Sequence, residues 1–229
     1  MDDHPMNDEG CALSAKGQLV EVGVFLFLVF PSLLLPYFGA RQLGAGFTVT
    51  AAGTILHNLA FLSLIAFFAW RNGESWERFG WVGSRVGREA ILGAGLFLLM
   101  SFAVILIQQA FSAAGVSLPS HPLPPSLIPH SRAGYVLAFV LVVVVAVSEE
   151  TIFRGYMILR FTAAFRSRPA AVLLSTLIFS LGHGYEGIVG VVAVFFIGLF
   201  LSGVYMWRKS LVAPMVIHFL QDFLGLFTA

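Results

Sequence analysis

From Tyr135 to Val147 the chain reads YVLAFVLVVVVAV, thirteen residues with no charge and no strongly polar group. Runs of similar apolarity recur at about 18–39, 49–70, 91–113, 135–158, 170–187, 188–207 and 211–228. A helix needs roughly 20 mostly apolar residues to cross a bilayer. The spacing therefore predicts an all-α, polytopic membrane bundle of about seven transmembrane helices. Only 11% of the residues are charged and 58% are hydrophobic, whereas a soluble domain carries about a quarter charged residues. Pro31 and Pro36 fall in the first run, where a membrane helix tolerates them with a kink.

The links between the runs carry the polar sequence. Residues 1–16 are acidic and polar and lack the basic start of a secretory signal, so they are expected to be a retained tail. The 71–90 link is amphipathic, with Trp76, Phe79 and Trp81 suited to a lipid interface. Residues 114–133 hold five prolines and read as an extended loop. Cys11 is the sole cysteine, so no internal disulfide can form. With seven spans, eleven of the thirteen Lys and Arg fall on the side of the N-terminus, including Arg154, Arg160, Arg166 and Arg168 after the fourth run. Arg41 and Arg132 alone fall on the other. The positive-inside rule then places the N-terminus in the cytoplasm and the C-terminus outside; the expected location is the cell's inner membrane, as a multi-pass protein. The lipid bilayer is its expected surroundings, and nucleic acid is not an expected partner.

Against this background, ionisable residues inside the runs are candidates for function, because each costs a few kcal/mol to insert. The fourth run carries Glu149 and Glu150, the fifth carries His183, and the seventh carries His218 and Asp222. Glu150 and Arg154 stand four apart and can pair on one helix face, which leaves Glu149 turned about 100° away and free. His218 and Asp222 repeat the interval, as do Phe179 and His183. Counting from the cytoplasmic ends, Glu149 and His218 lie roughly 13 and 11 Å deep and His183 roughly 20 Å, so the fifth helix must tilt or start low. His57 with Asn58 and Gln108 with Gln109 are read as interhelical hydrogen-bond partners, Glu21 stands near the start of the first run, and Glu186 is read as exposed in a glycine-rich turn.

Carboxylates and imidazoles facing one cavity suit hydrolysis, since a carboxylate in an apolar site is a usable base near neutral pH. Two routes are open. Zn2+ held by His183, His218 and Glu149 can activate water. Alternatively, Glu149 and His183 polarise water directly, while His218 and Asp222 stabilise the oxyanion. The sequence has no H-E-x-x-H and no G-x-S-x-G. A proton-coupled transporter using the same groups as a relay, or a non-catalytic scaffold for a membrane partner, are the competing readings.

The stretches EETIFRG (149–155), FSLGH (179–183) and HFLQD (218–222) resemble the motifs E-E-x-x-x-R, F-x-x-x-H and H-x-x-x-N/D of the CAAX-protease and bacteriocin-processing intramembrane endopeptidases. The resemblance extends over about residues 133–229, which would form the catalytic core, with 17–132 supplying further membrane helices of a single integrated domain. It implies cleavage of membrane-associated or lipidated polypeptides by water activated on Glu149 and His183. Glu150 and Arg154 would be a supporting ion pair, and His218 and Asp222 an oxyanion or metal site. Asp222 stands where the prenyl-protein peptidases carry Asn. An ionised aspartate donates poorly to an oxyanion, so a metal ligand or a group that orients His218 suits it better. The family's own choice between zinc and a metal-free glutamate is carried over as an open alternative.

Overall fold

The computed structural model describes residues 14–34, 46–113, 115 and 128–227, with the side chains of 30–34, 107, 108 and 111 also outside the description. The 1–13 part of the tail, Pro36, Arg41 and most of the proline-rich loop therefore lie outside the described residues, as does the Gln108 side chain.

The described residues are helical, with no strand among them. The helices are α1 (Ala15–Leu34), α2 (Phe47–Arg71), α3 (Val86–Ala113), α4 (Arg132–Glu149), α5 (Ile158–Phe165), α6 (Arg168–Leu181), α7 (Gly187–Arg208) and α8 (Val212–Phe227). A π-helical segment, Glu150–Met157, joins α4 to α5 without a break. Short 3-10 turns occupy Trp76–Phe79 and Gly184–Glu186. Local sequence explains the boundaries. Ser131 caps α4 by accepting from the Gly134 N–H at 3.0 Å, and Ser167 caps α6 ahead of Pro169. Arg166 and Lys209 take left-handed conformations, φ 52° and 54°, which reverse the chain between α5 and α6 and between α7 and α8.

Four described helical stretches are long and apolar enough to cross a membrane: Phe47–Arg71, Val86–Leu106, Arg132–Phe165 and Gly184–Arg208. The fourth run thus extends well beyond its expected end at 158, because Arg154 and Arg160 are buried in ion pairs inside the bundle rather than released into a loop. The fifth and seventh runs become shorter apolar helices, α6 with 14 residues and α8 with 16. At 1.5 Å per residue, α6 spans about 21 Å against a hydrocarbon core of about 30 Å.

The polarity of the bundle runs from apolar outside to polar inside. Phe27, Leu56, Ile91, Phe102, Val136 and Phe196 are exposed on helix surfaces, while Glu21, Glu74, Glu150, Arg154, Arg160 and His218 are buried. In water such an apolar exterior would exceed what a monomer tolerates; against lipid it costs nothing. Helix α2 packs on α4, α3 on α8, α6 on α7, and α1 on α5. The largest apolar cluster surrounds the π-helical segment with Phe25, Ile65, Phe79, Tyr156, Met157 and Phe179. Phe79, expected at the lipid interface, is fully buried here, because its turn tucks beneath Gly155.

Candidate active site

The π-helix is a wider, less favourable turn than the α-helix and needs outside support. Ser175 of α6 donates its hydroxyl to the Phe153 carbonyl at 2.7 Å, and Thr151 donates to the Val147 carbonyl at 2.7 Å. Gly155 lets the Phe79 backbone approach: a Cβ at Gly155 would lie 2.8 Å from the Phe79 carbonyl oxygen. The EETIFRG stretch is therefore a deformed piece of helix, braced from α6 on one side and from the 76–80 turn on the other.

On this segment Glu150 is fully buried and Arg154 almost so. Arg154 Nη1 donates to Glu150 Oε1 at 2.7 Å and Nη2 donates to the Gly198 carbonyl of α7 at 3.3 Å. The guanidinium lies 4.3 Å from the centre of the Phe179 ring, a cation–π contact. Gly198 makes the approach of α7 feasible, since a Cβ there would meet Thr176, Phe179 and Arg154 at 2.9, 3.1 and 3.3 Å. Phe179 is the hub of the centre. Its ring centroid lies 5.1 Å from Phe153, 4.8 Å from His183 and 6.0 Å from His218.

His218 of α8 joins the two glutamates. Its Nδ1 lies 2.8 Å from Glu150 Oε1, and its Nε2 lies 3.4 Å from Asp222 Oδ2 and 3.8 Å from Glu149 Oε2. An ionised carboxylate only accepts, so the hydrogen bond to Glu150 assigns a proton to Nδ1. Glu150 thus holds Arg154 and His218 through one oxygen, a second duty beyond the ion pair expected from spacing. His183 sits just past the end of α6, with Nδ1 3.1 Å from the Phe179 carbonyl oxygen. A carbonyl cannot donate, so Nδ1 carries the proton and Nε2 of neutral His183 keeps its lone pair. Glu149 lies within electrostatic reach of His183, His218 and Asp222, and its Oε2 is buried with no hydrogen-bond partner.

Exposure defines the open side. The Glu149 and Asp222 side chains are 20% and 32% accessible, against 0% for Glu150 and 7% for His218. Glu150 and Arg154 form the floor, and Glu149 and Asp222 the rim. Among the described residues, no group of three or more His, Cys, Asp or Glu side chains converges as metal ligands do. The His183, His218 and Glu149 side chains do not converge as a zinc-ligand set in this arrangement.

The other flagged residues lie elsewhere. His57 is exposed and packs edge-on against Phe61 at 4.3 Å. Asn58 is buried and donates to its own helix at the Thr54 carbonyl, and Gln109 is exposed. Glu186 is half-buried over Gly190 rather than exposed. Sequence reasoning overlooked Ser175, Gly198 and the partners of Glu21. Only the small size of Ser175 and Gly198, on helices facing the motif, hinted at close packing.

The buried carboxylate–imidazole centre thus sits inside a bundle with an apolar exterior. Residues 131–224, less than half of the chain, match the family model described as type II CAAX prenyl endopeptidase Rce1-like. The matched stretch contains all six clustered side chains and leaves out α1, α2 and α3. No curated protein and no solved structure gives a significant match to the chain.

Proposed function

We propose that this chain hydrolyses peptide bonds of membrane-associated polypeptides at the Glu149–His183–His218 centre. The observation that carries the reading is His218, whose Nδ1 is fixed on buried Glu150 while its Nε2 faces the rim carboxylates Glu149 and Asp222. Water held between Glu149 and Nε2 of His183 gives a proton to the Glu149 carboxylate as its oxygen adds to the scissile carbonyl carbon. The carbonyl π electrons move to oxygen, and the resulting oxyanion accepts from the Nε2–H of protonated His218. Collapse re-forms the carbonyl and breaks the C–N bond. Glu149 returns its proton to the departing amine. Asp222 stabilises the Nε2 proton beforehand and is not itself a donor.

The same proposal fixes the membrane geometry. Seven crossings with a cytoplasmic N-terminus place the α2–α3, α5–α6 and α7–α8 links on the cytoplasmic side, where Arg71, Arg78, Arg85, Arg88, Arg166, Arg168 and Lys209 gather. Because α6 is short, the His183–Glu186 turn then falls within the bilayer. Irregular backbone is tolerated there only where it is buried in protein or lines a wet cavity, as a site that supplies water requires.

The test is cleavage of a membrane-anchored peptide by the purified protein in liposomes, with the new termini identified by mass spectrometry. Histidine-to-alanine substitution at His183 is expected to lower kcat by about a hundredfold or more, the range of a lost general acid–base partner. Full activity in H183A would contradict the assignment.

A further inference from the structure

A second buried ionic cluster lies further along the same helix, and half of it comes from outside residues 131–224. Arg160 is fully buried. Its Nε donates to Glu21 Oε1 of α1 at 2.9 Å, and its Nη1 donates to Glu74 Oε1, in the link after α2, at 2.8 Å. Arg160 Nη2 bonds the other Glu74 oxygen. Tyr156, inside the π-helical segment, donates its hydroxyl to Glu21 Oε1 at 2.8 Å. The second Glu21 oxygen accepts from Arg71 at 2.9 Å and Asn72 at 2.8 Å. The Arg160 guanidinium also lies 4.9 Å from the Tyr156 ring centre.

Such a network is an expensive way to gain stability, since buried ion pairs roughly break even against apolar replacements. Its geometry fixes something apolar contacts would leave loose. A π-turn relaxing to an α-turn would shift the register by one residue and rotate the following side chains by about 100°. Tyr156 and Arg160 sit within and just after the π-turn, and both are tied to carboxylates from other elements. Neither tie survives that rotation.

We propose that Glu21, Glu74, Tyr156 and Arg160 form a positioning clamp that holds the π-helical register of Glu150–Met157. The clamp thereby keeps Glu150 aligned with Arg154 and His218. The N-terminal helices thus set the geometry of a centre whose reacting groups all lie in 131–224. The inference rests on the proposed peptidase function.

Full-length Y156F and R160K in liposomes test it together with E149Q. Y156F removes one hydrogen bond and keeps the ring; R160K keeps the charge and loses the two-pronged fork. Both are expected to lower kcat about tenfold to a hundredfold with KM changed less than about twofold, the signature of a misaligned reacting geometry. A lowered thermal midpoint with wild-type kcat in the folded variants would reduce the clamp to a structural brace and overturn the inference. If R160K fails to fold, Y156F decides. Wild-type cleavage by E149Q would instead overturn the peptidase reading, whereas an inactive E149Q beside fully active Y156F and R160K would remove the clamp alone.

Discussion

Glu149 and Glu150 are adjacent in sequence and differ in every physical respect that matters. Glu150 is sealed from solvent and shared between Arg154 and His218. Glu149 is partly accessible, and its nearest cationic partner is the His218 ring at 3.8 Å. The E150Q variant should therefore lose stability as well as activity, because removing one member of a buried pair strands the other charge at a cost of about 3–5 kcal/mol. In E149Q, stability should stay within about 1 kcal/mol of wild type while activity is lost, since the buried His218 ring keeps its closer partners Glu150 and Asp222. Thermal unfolding of both in detergent checks the contrast, and equal destabilisation would contradict it. Spacing alone made the Glu150–Arg154 pair legible. The bond from Glu150 to His218 was not, because it joins helices far apart in sequence and depends on how α4 and α8 pack.

At the scale of elements, the hydropathy runs located the helices to within a few residues except at the ends of the fourth and fifth, yet their mechanics were hidden. Nothing in EETIFRG announces a π-helix, since apolar periodicity over so short a segment cannot separate one wide turn from an ordinary one. Its supports, Ser175, the Phe79 carbonyl and the Glu21–Arg160 clamp, all come from other helices or links. Gly155 is the most sensitive of these points. In G155A the new methyl would press on backbone rather than on a movable side chain. A loss of about 1–3 kcal/mol is expected from such overpacking, together with reduced activity from the displaced motif. Unchanged stability and turnover in G155A would show that the 76–80 turn does not brace the segment. The fifth run, expected to reach 187, ends as α6 at Leu181; the glycine-rich turn that follows does not reveal where the helix stops.

For the whole molecule, sequence and structure agree on a helical bundle with apolar flanks and polar contents. Arg154 and Arg160, expected among the cytoplasmic link charges, belong to buried pairs, and the proposed orientation is carried by the cations that remain at the links. Single cysteines placed in a Cys11→Ser background test that orientation. A cysteine replacing exposed Arg88 should react with an impermeant maleimide only from the cytoplasmic side, and one replacing exposed His130 only from the opposite side. The reverse pattern would invert the proposed topology. The most direct test of the account is kcat for cleavage of one membrane-anchored peptide by wild type and E149Q in the same liposomes. Activity in the wild type and a loss of about a hundredfold or more in folded E149Q are predicted; undiminished cleavage by E149Q would contradict the central claim.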